Sequence, residues 1–477
     1  METWKKFVLI AVLIAGALLV YIPHYNYGYP LHVDEWNLIS EMRIVQNEGF
    51  QYLVTHPVES GFVFSLYILD LFFSIILFYK FLPLLNFVMV SLVLFYFLNK
   101  NYGYWQGVFA IVFFASLKSN VNILGNWFFV PIVFAILFIY SYLFNLEESL
   151  EKKKSLYLSA LFLFLIAFIH PSSFLVLAIV GFVYYGINHK KVRKSYLNLW
   201  PFLFLLIPVL LVILYFGDFS ELVSRLVWLP FVNTKVQFTP LIYGILASLF
   251  GILGFYLTLK RKELLGFRIY VSISLISIVG FWLLEKSFFS SYQRYLYHFM
   301  SGAVVFSAIG LYEFLKFVFV NLNKYRNELR VSVLVLIVLI TGIVLFQNYG
   351  ENYPGTEIYH LIDDSDYDAL LFLKDYDLKY VPHRFYLDSA EVISSRDVAV
   401  VSYAISNKAS AGFVSPYSLE EAFIAMQFFD KDCDFKEGFL DKYEHINYVY
   451  SYEKIECSFL REIYRNDKVF LYERIKN

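Results

Sequence analysis

The 477-residue chain is short of charge and of sulfur: charged residues make up 17%, and there are 2 cysteines and 5 methionines. A soluble protein of this length rarely carries so little charge over its surface. No glycine-rich loop of the kind that cradles nucleotide phosphates is present. Long internal repeats and low-complexity linkers are also missing. What fills the chain instead is apolar: 59% of residues are hydrophobic, 21% are aromatic, and mean hydropathy is +0.58.

Apolar runs fall at roughly 7–22, 62–79, 82–98, 105–117, 122–144, 156–169, 172–187, 197–216, 240–259, 267–284, 296–318 and 331–347. Many approach the ~20 residues needed to cross a hydrocarbon core. The sequence therefore reads as a polytopic α-helical membrane protein with roughly 11–13 transmembrane helices. The run at 7–22 follows Lys5 and Lys6, and YIPHYNYGYP comes next rather than a small-residue cleavage site. A retained first helix is expected there, not a cleaved signal.

The net charge of −1 hides a division. Residues 351–477 carry 24 acids against 14 bases, while 1–350 carry 16 acids against 25 bases. A boundary near Asn348 is expected, between a basic membrane domain (1–348) and an acidic α/β domain (349–477). In the second domain DDSDYDALLFLKDY (363–376) and SLEEAFIAMQFF (418–429) read as helices. HRFYLDSA, DVAVVSYA, INYVYSY and KVFLYERI read as strands, being rich in Val, Tyr, Ile and Phe. Both cysteines, Cys433 and Cys457, lie here, and the sequence alone fits a disulfide and two free thiols equally.

Basic connections orient the helices: Lys5–Lys6, EESLEKKK before Ser155, HKKVRK at 189–194, KRKE at 260–263 and NKYRNELR at 323–330. Placing these in the cytoplasm puts the first outer loop (23–60), the turn at His170, the loops 217–239 and 285–295, and the C-terminal domain on the extracytoplasmic side of the cell membrane. One count conflicts with this map. An odd number of crossings must join the first outer loop to EEKKK, yet four apolar runs lie between them. Either 105–117 is re-entrant or 62–79 is not a full crossing.

The first outer loop contains LHVDEWNLISEM (31–42). Trp36, Ile39, Met42 and Val45 recur every third residue, so a helix lying in the membrane surface is expected. Asp34 is expected as its N-cap and Glu35 as a first-turn acid favoured by the helix dipole. An intramembrane acid, Asp70, is a functional candidate by its cost, or else the end of a re-entrant piece. Arg225, within FSELVSRLVWLPF (219–231), reads as an anchor on a second interfacial helix. The Asp-x-Asp runs at 364–366 and 375–377 read as helix-end residues and not as a metal motif.

A first helix, a large outer loop with His32-Val-Asp34-Glu35, many further helices and a C-terminal outer domain resemble the GT-C glycosyltransferase superfamily. Its members include the protein O-mannosyltransferases, the lipid A aminoarabinose transferases and the mannosyltransferases of glycolipid assembly. THPVESG (55–61) resembles the His-Pro opening the second helix of those enzymes. IAFIHPSSFLVL (166–177) resembles their mid-protein helical pair, and YQRYLYHFMSGAVVFSAIGLYEF (292–314) resembles their Arg-Tyr-Leu segment.

The resemblance implies transfer of a sugar, such as the hexose mannose, from a polyprenyl- or dolichyl-phosphate carrier to an acceptor hydroxyl on the outer membrane face. Asp34 would be the general base of an inverting single displacement, with Glu35 beside it. Arg294 would bind the donor phosphate, and His170 and His56 would line the donor-binding pocket. Acceptors in this class are glycans, glycolipids or proteins; membrane lipid is a partner and nucleic acid is not. No metal site is assigned, because His-x-Asp-Glu is not a specific metal signature, and a divalent cation stays open as a cofactor. The alternatives are a multi-helix transporter, a non-catalytic glycan-assembly scaffold, and an enzyme using a lipid-diphosphate-linked glycan.

Overall fold

A computed structural model describes residues 2–55, 59–117, 119, 125–191, 227–228, 243–322, 342, 360–378, 390–394, 396–411, 425 and 427–476. The chain divides into two units. One comprises Met1–Asn26, His56–Phe62 and Phe78–Thr356; the other comprises Tyr27–Thr55, Val63–Leu77 and Glu357–Asn477.

In chain order the helices begin with α1 (Thr3–Tyr21), α2 (Val33–Glu48), α3 (Gln51–Thr55), α4 (Ser60–Asp70) and α5 (Ile75–Phe78). Then come α6 (Leu82–Asn101), α7 (Tyr104–Ala115), α8 (Pro131–Glu148), α9 (Lys153–Ile169) and α10 (Pro171–Ile187). After them follow α11 (Ile245–Leu257), α12 (Leu265–Leu284), α13 (Tyr292–Leu322), α14 (Asp364–Tyr376), α15 (Arg396–Ser406) and α16 (Cys433–Lys442).

Among its described residues the first unit is helical apart from loops and a two-residue antiparallel pairing of β1 (Val227–Trp228) with β2 (Ser287–Phe288). Among the described residues of the chain, five helices are long and apolar enough to cross a membrane: Thr3–His24, Ile75–Asn101, Pro131–Glu148, Lys262–Leu284 and Tyr292–Phe319. Helices of this unit pack through small residues as membrane bundles do. Gly254 on α11 and Gly310 on α13 face each other so closely that a Cβ at Gly254 would run into the Phe306 carbonyl, and one at Gly310 into that of Phe250. Aromatic stacking fills the spaces elsewhere, as where Phe97 meets Phe144 with centroids 3.6 Å apart.

The apolar run at 62–79 is not a single crossing. It breaks at Asp70 into α4 and α5, and the 11 residues of α4 rise only about 17 Å. α7, with 12 residues, is short of a crossing by the same measure, so both segments named for the odd crossing count are broken or short. The apolar segment 197–216 lies outside the described residues, as do 331–347 apart from Gly342 and 219–231 apart from Val227–Trp228.

Among the described residues of the second unit, five strands form one sheet in the order β4-β3-β5-β7-β6. Its strands are β3 (Val392–Ile393), β4 (Ser410–Ala411), β5 (Tyr448–Ser451), β6 (Leu460–Arg465) and β7 (Phe470–Arg474). β3 runs parallel to β4 and β5, and β7 runs antiparallel to β5 and β6. INYVYSY and KVFLYERI form strands as expected. DVAVVSYA does not: it lies in α15. Val398, Val401 and Ile405 repeat at helical spacing, and every described residue from Val398 to Ser406 is buried, so tertiary burial overrides the strand preference of its valines. HRFYLDSA lies outside the described residues except Ala390, as does SLEEAFIAMQFF except residue 425 and residues 427–429. Cys433 and Cys457 form a disulfide with Cα atoms 5.6 Å apart, which resolves the two options left open by the sequence.

α14 starts where its acidic cap places it. Asp363 accepts the Asp366 N–H at 3.1 Å and Asp366 accepts the Asp363 N–H at 3.0 Å, a reciprocal capping box. α2 packs on α15, with Ile44, Tyr403 and Ala409 forming a small buried cluster flanked by Tyr52.

Candidate functional site

The acidic pair sits at the start of α2, in the unit that contains the sheet. The helix begins at Val33, and its N-cap is His32 with an extended backbone (φ −107°, ψ 147°). The imidazole Nδ1 accepts the Asp34 N–H at 3.1 Å. Glu35 folds back so that its Oε2 accepts the His32 N–H at 2.9 Å and the Leu31 N–H at 2.7 Å. The expectation that Asp34 is the cap is thus corrected. An unprotonated ring nitrogen accepts an N–H as a serine oxygen would, and the glutamate three residues on completes the box.

The two adjacent carboxylates therefore have different surroundings. Glu35 is fully buried and holds two backbone donors. Asp34, one residue earlier, leaves 48% of its side chain exposed. The His32 ring approaches the Asp34 carboxylate at 3.7 Å. Burial pushes the His32 pKa below its ordinary 6.5, with the Asp34 charge opposing in part, so at neutral pH the ring is uncharged and this approach is not an ion pair.

α2 is covered on more than its apolar face. Trp36, Ile39, Met42 and Val45 are buried as their spacing predicts, but so are Glu35 and Ser40, which the amphipathic reading places on the polar face. Trp36 Nε1 donates to the Pro30 carbonyl at 3.1 Å, which ties the helix to the segment before it. Arg43 Nε donates to the Ala404 carbonyl at 3.3 Å. The two Asp-x-Asp runs serve helix ends and ion pairs: Asp366 takes Lys468 at 2.7 Å and the Tyr450 hydroxyl at 2.6 Å, and Asp377 takes Lys408 at 3.0 Å.

The helical unit contains a second polar group. His170 ends α9 and caps α10, its Nδ1 accepting the Ser173 N–H at 3.2 Å with the Ser173 hydroxyl 2.6 Å away. Arg294, in the first turn of α13, lies beside the same cap, its guanidinium 3.5 Å from the Ser172 hydroxyl. The structure thus brings His170 and Arg294 to one α10 N-terminus. His56 lies outside the described residues. Sequence reasoning passed over His298 and Tyr270, which are buried and bonded to each other at 2.7 Å. The signal was the spacing of Arg294 and His298, four residues apart and so on one helix face. Among the described residues, no group of three His, Cys, Asp or Glu side chains is arranged to hold a metal ion.

No family model matches the sequence, and no curated protein matches it. Solved structures do. The oligosaccharyltransferase AglB from Archaeoglobus fulgidus, in complex with an inhibitory peptide and a dolichol-phosphate, is similar with a TM-score of 0.54 at 13% identity over 94% of this chain and 70% of that one. The Archaeoglobus fulgidus oligosaccharyltransferase tethered to an acceptor peptide containing the NVT sequon gives 0.55 at 15% identity, with the same coverage of both chains. Its apo form gives 0.51 at 14%, again with that coverage.

At such identity the likeness shows the fold. The chain has the GT-C fold: it is a polytopic α-helical integral membrane protein with a C-terminal α/β region.

Proposed function

We propose that the protein is a membrane glycosyltransferase that takes a sugar from a polyprenyl-phosphate carrier and passes it to an acceptor hydroxyl. The observation that carries this reading is the division of labour within the acidic pair on a GT-C fold. Glu35 is spent on the cap, and the cap holds Asp34 on a rigid helix end with its carboxylate open to a substrate.

In the reaction the acceptor oxygen attacks the anomeric carbon as the bond from that carbon to the lipid phosphate breaks. Asp34 receives the hydroxyl proton, because an alcohol is a poor nucleophile at neutral pH without a base. The departing phosphate gains negative charge and needs donors more than an acid. Arg294 offers a planar pair of N–H groups for it, and His170 and His56 are assigned to the donor-binding pocket. The basic connections favour a site and a C-terminal domain on the extracytoplasmic side of the cell membrane.

A peptide acceptor is the second reading. One matched oligosaccharyltransferase is described with a tethered acceptor peptide containing the NVT sequon and another with an inhibitory peptide. The dolichol-phosphate held by one of these oligosaccharyltransferases supports a lipid-phosphate donor over a transport role.

The test uses membranes holding the full chain or its Asp34→Asn variant, supplied with labelled polyprenyl-phosphate sugars. Label is followed into lipid, glycan and protein fractions. Transfer by the wild type that falls about 10²–10⁴-fold in Asp34→Asn, at equal expression and fold, is the expected result for loss of a general base. Equal transfer by both removes Asp34 from that role. Label entering the protein fraction alone selects the peptide acceptor.

A further inference from the structure

The hydrogens of the buried polar group around His170 can be assigned from its role as the cap of α10. The Ser173 N–H donates to His170 Nδ1 at 3.2 Å. A ring nitrogen that accepts an N–H carries no proton, so the His170 ring is neutral and holds its hydrogen on Nε2. The Ser173 hydroxyl, 2.6 Å from the same Nδ1, must then donate to it. Its oxygen is left to accept from His298 Nε2–H at 3.2 Å. That makes His298 Nδ1 the acceptor for the Tyr270 hydroxyl, 2.7 Å away.

Tyr270 on α12, His298 on α13, and Ser173 and His170 at the start of α10 thus donate in one direction. The chain of donors ends on His170 Nε2–H. His170 is 1% exposed, and this nitrogen has no hydrogen-bond partner among the described residues. Buried donors without partners are rare in folded proteins, and a polar network inside a membrane bundle is costly unless it is used. Arg294, one turn before His298 on α13, brings a second set of N–H groups to the same cap at the Ser172 hydroxyl.

We infer that Tyr270, His298 and Ser173 are positioning residues that hold His170 as a directed N–H donor to an anionic phosphate oxygen, with Arg294 supplying the countercharge. The inference rests on the lipid-phosphate reading above and deepens it. Because Nδ1 is taken up by accepting and Nε2 by its proton, His170 serves as a donor and neither as a base nor as a metal ligand. The ligand chemistry is a phosphate group with anionic oxygens, whether on a lipid or as free phosphate.

The experiment uses the full chain in nanodiscs, titrated with a short polyprenyl monophosphate, the matching neutral polyprenol, and inorganic phosphate. The readout is the ratio of monophosphate to polyprenol affinity, which a general loss of packing does not move selectively. His170→Phe is expected to lower that ratio about tenfold or more, as loss of a charge-assisted hydrogen bond does. Ser173→Ala and His298→Leu are expected to lower it roughly threefold to tenfold. His298→Gln, whose amide keeps both a donor and an acceptor, restores it. Tyr270→Phe deletes one oxygen from the far end at constant shape and lowers the ratio by less.

Inorganic phosphate that competes with the monophosphate identifies the headgroup alone as the ligand; failure to compete assigns the site to the lipid form. A ratio unchanged in both Ser173→Ala and His298→Leu overturns the positioning role, and wild-type chain that binds no phosphate in any arm overturns the site. Sugar transfer is measured separately. His170-dependent phosphate binding without transfer from any donor fails the transferase reading and leaves this inference standing. Transfer by a chain whose phosphate affinity ignores His170 fails this inference alone.

Discussion

Arg43 and Asp70 are joined by an ion pair, guanidinium nitrogen to carboxylate oxygen, at 2.9 Å. The same carboxylate accepts Gln46 Nε2 at 2.6 Å and the Ile75 N–H at 3.0 Å. Asp70 therefore closes α4, opens α5 and grips α2, the helix that carries Asp34. Its side chain is 11% exposed and that of Arg43 15%, so the pair is shielded from water and loses little to screening.

Removing one partner is expected to cost more than removing both. Asp70→Asn leaves the Arg43 charge shielded and unpaired and should lower stability by about 1–3 kcal/mol, below the 3–5 kcal/mol of a fully buried pair. Asp70→Asn combined with Arg43→Gln should cost less than the sum of the single changes. Thermal melts of the purified chain and its three variants close the cycle; strict additivity would mean the contact contributes nothing.

Glu35 and Asp34 should separate in their effects on the fold. Glu35→Ala leaves the Leu31 and His32 N–H groups without their acceptor and is expected to cost about 1–2 kcal/mol at the start of α2. Glu35→Gln keeps an acceptor oxygen and should lose much less. Amide hydrogen exchange at Leu31 and His32 reads this directly: faster in Ala, close to wild type in Gln. Asp34→Asn, by contrast, should leave both amides unchanged.

His32 gives the second unit a dependence on pH. Its folded-state pKa lies below the ordinary 6.5 because the ring is buried. Above 6.5 the ring is neutral in both folded and unfolded chains, and its capping contribution is intact. As pH falls below that value, the unfolded chain takes up a proton that the folded chain refuses. Stability then declines by at most about 1.4 kcal/mol per pH unit until the folded-state pKa is reached. Comparing denaturant midpoints at pH 7 and 5.5 for wild type and His32→Asn tests this. The variant keeps a capping acceptor and should show a shallower decline, and equal slopes would exclude His32 as the source.

The disulfide between Cys433 and Cys457 closes a loop with a sequence separation of 24. Loop-closure entropy for that length corresponds to roughly 3 kcal/mol of stabilisation. Cys433→Ser with Cys457→Ser is expected to lower the melting temperature of the sheet-bearing unit and to make its described strands β5, β6 and β7 exchange faster. A melt unaffected by both substitutions would mean that the bridge adds nothing.

Much of the architecture was legible because it follows from local pattern. Membrane crossings are written as long apolar runs, since lipid forbids an unsatisfied backbone. The α14 start was readable from consecutive aspartates, and β5 and β7 from their aromatic and β-branched residues. α15 was not, because its valines favour a strand in isolation and only burial along the whole segment makes a helix the better solution. The cap of α2 was displaced by two residues from its expected place, since an imidazole nitrogen is a less familiar capping acceptor than a carboxylate.

The sequence by itself determined that this chain lives in a membrane, that an acidic α/β region follows its helices, and that Asp34 and Glu35 stand together near a helix start. Composition and periodicity suffice for those, because each depends on residues adjacent in the chain. Only the tertiary structure decided that Glu35 turns inward while Asp34 stays open, that Asp70 belongs to a clasp with Arg43, and that Tyr270, His298 and Ser173, from three helices, line up on His170. Those outcomes depend on side chains far apart in sequence meeting where water is scarce, and the pairing of buried polar groups is what selects them.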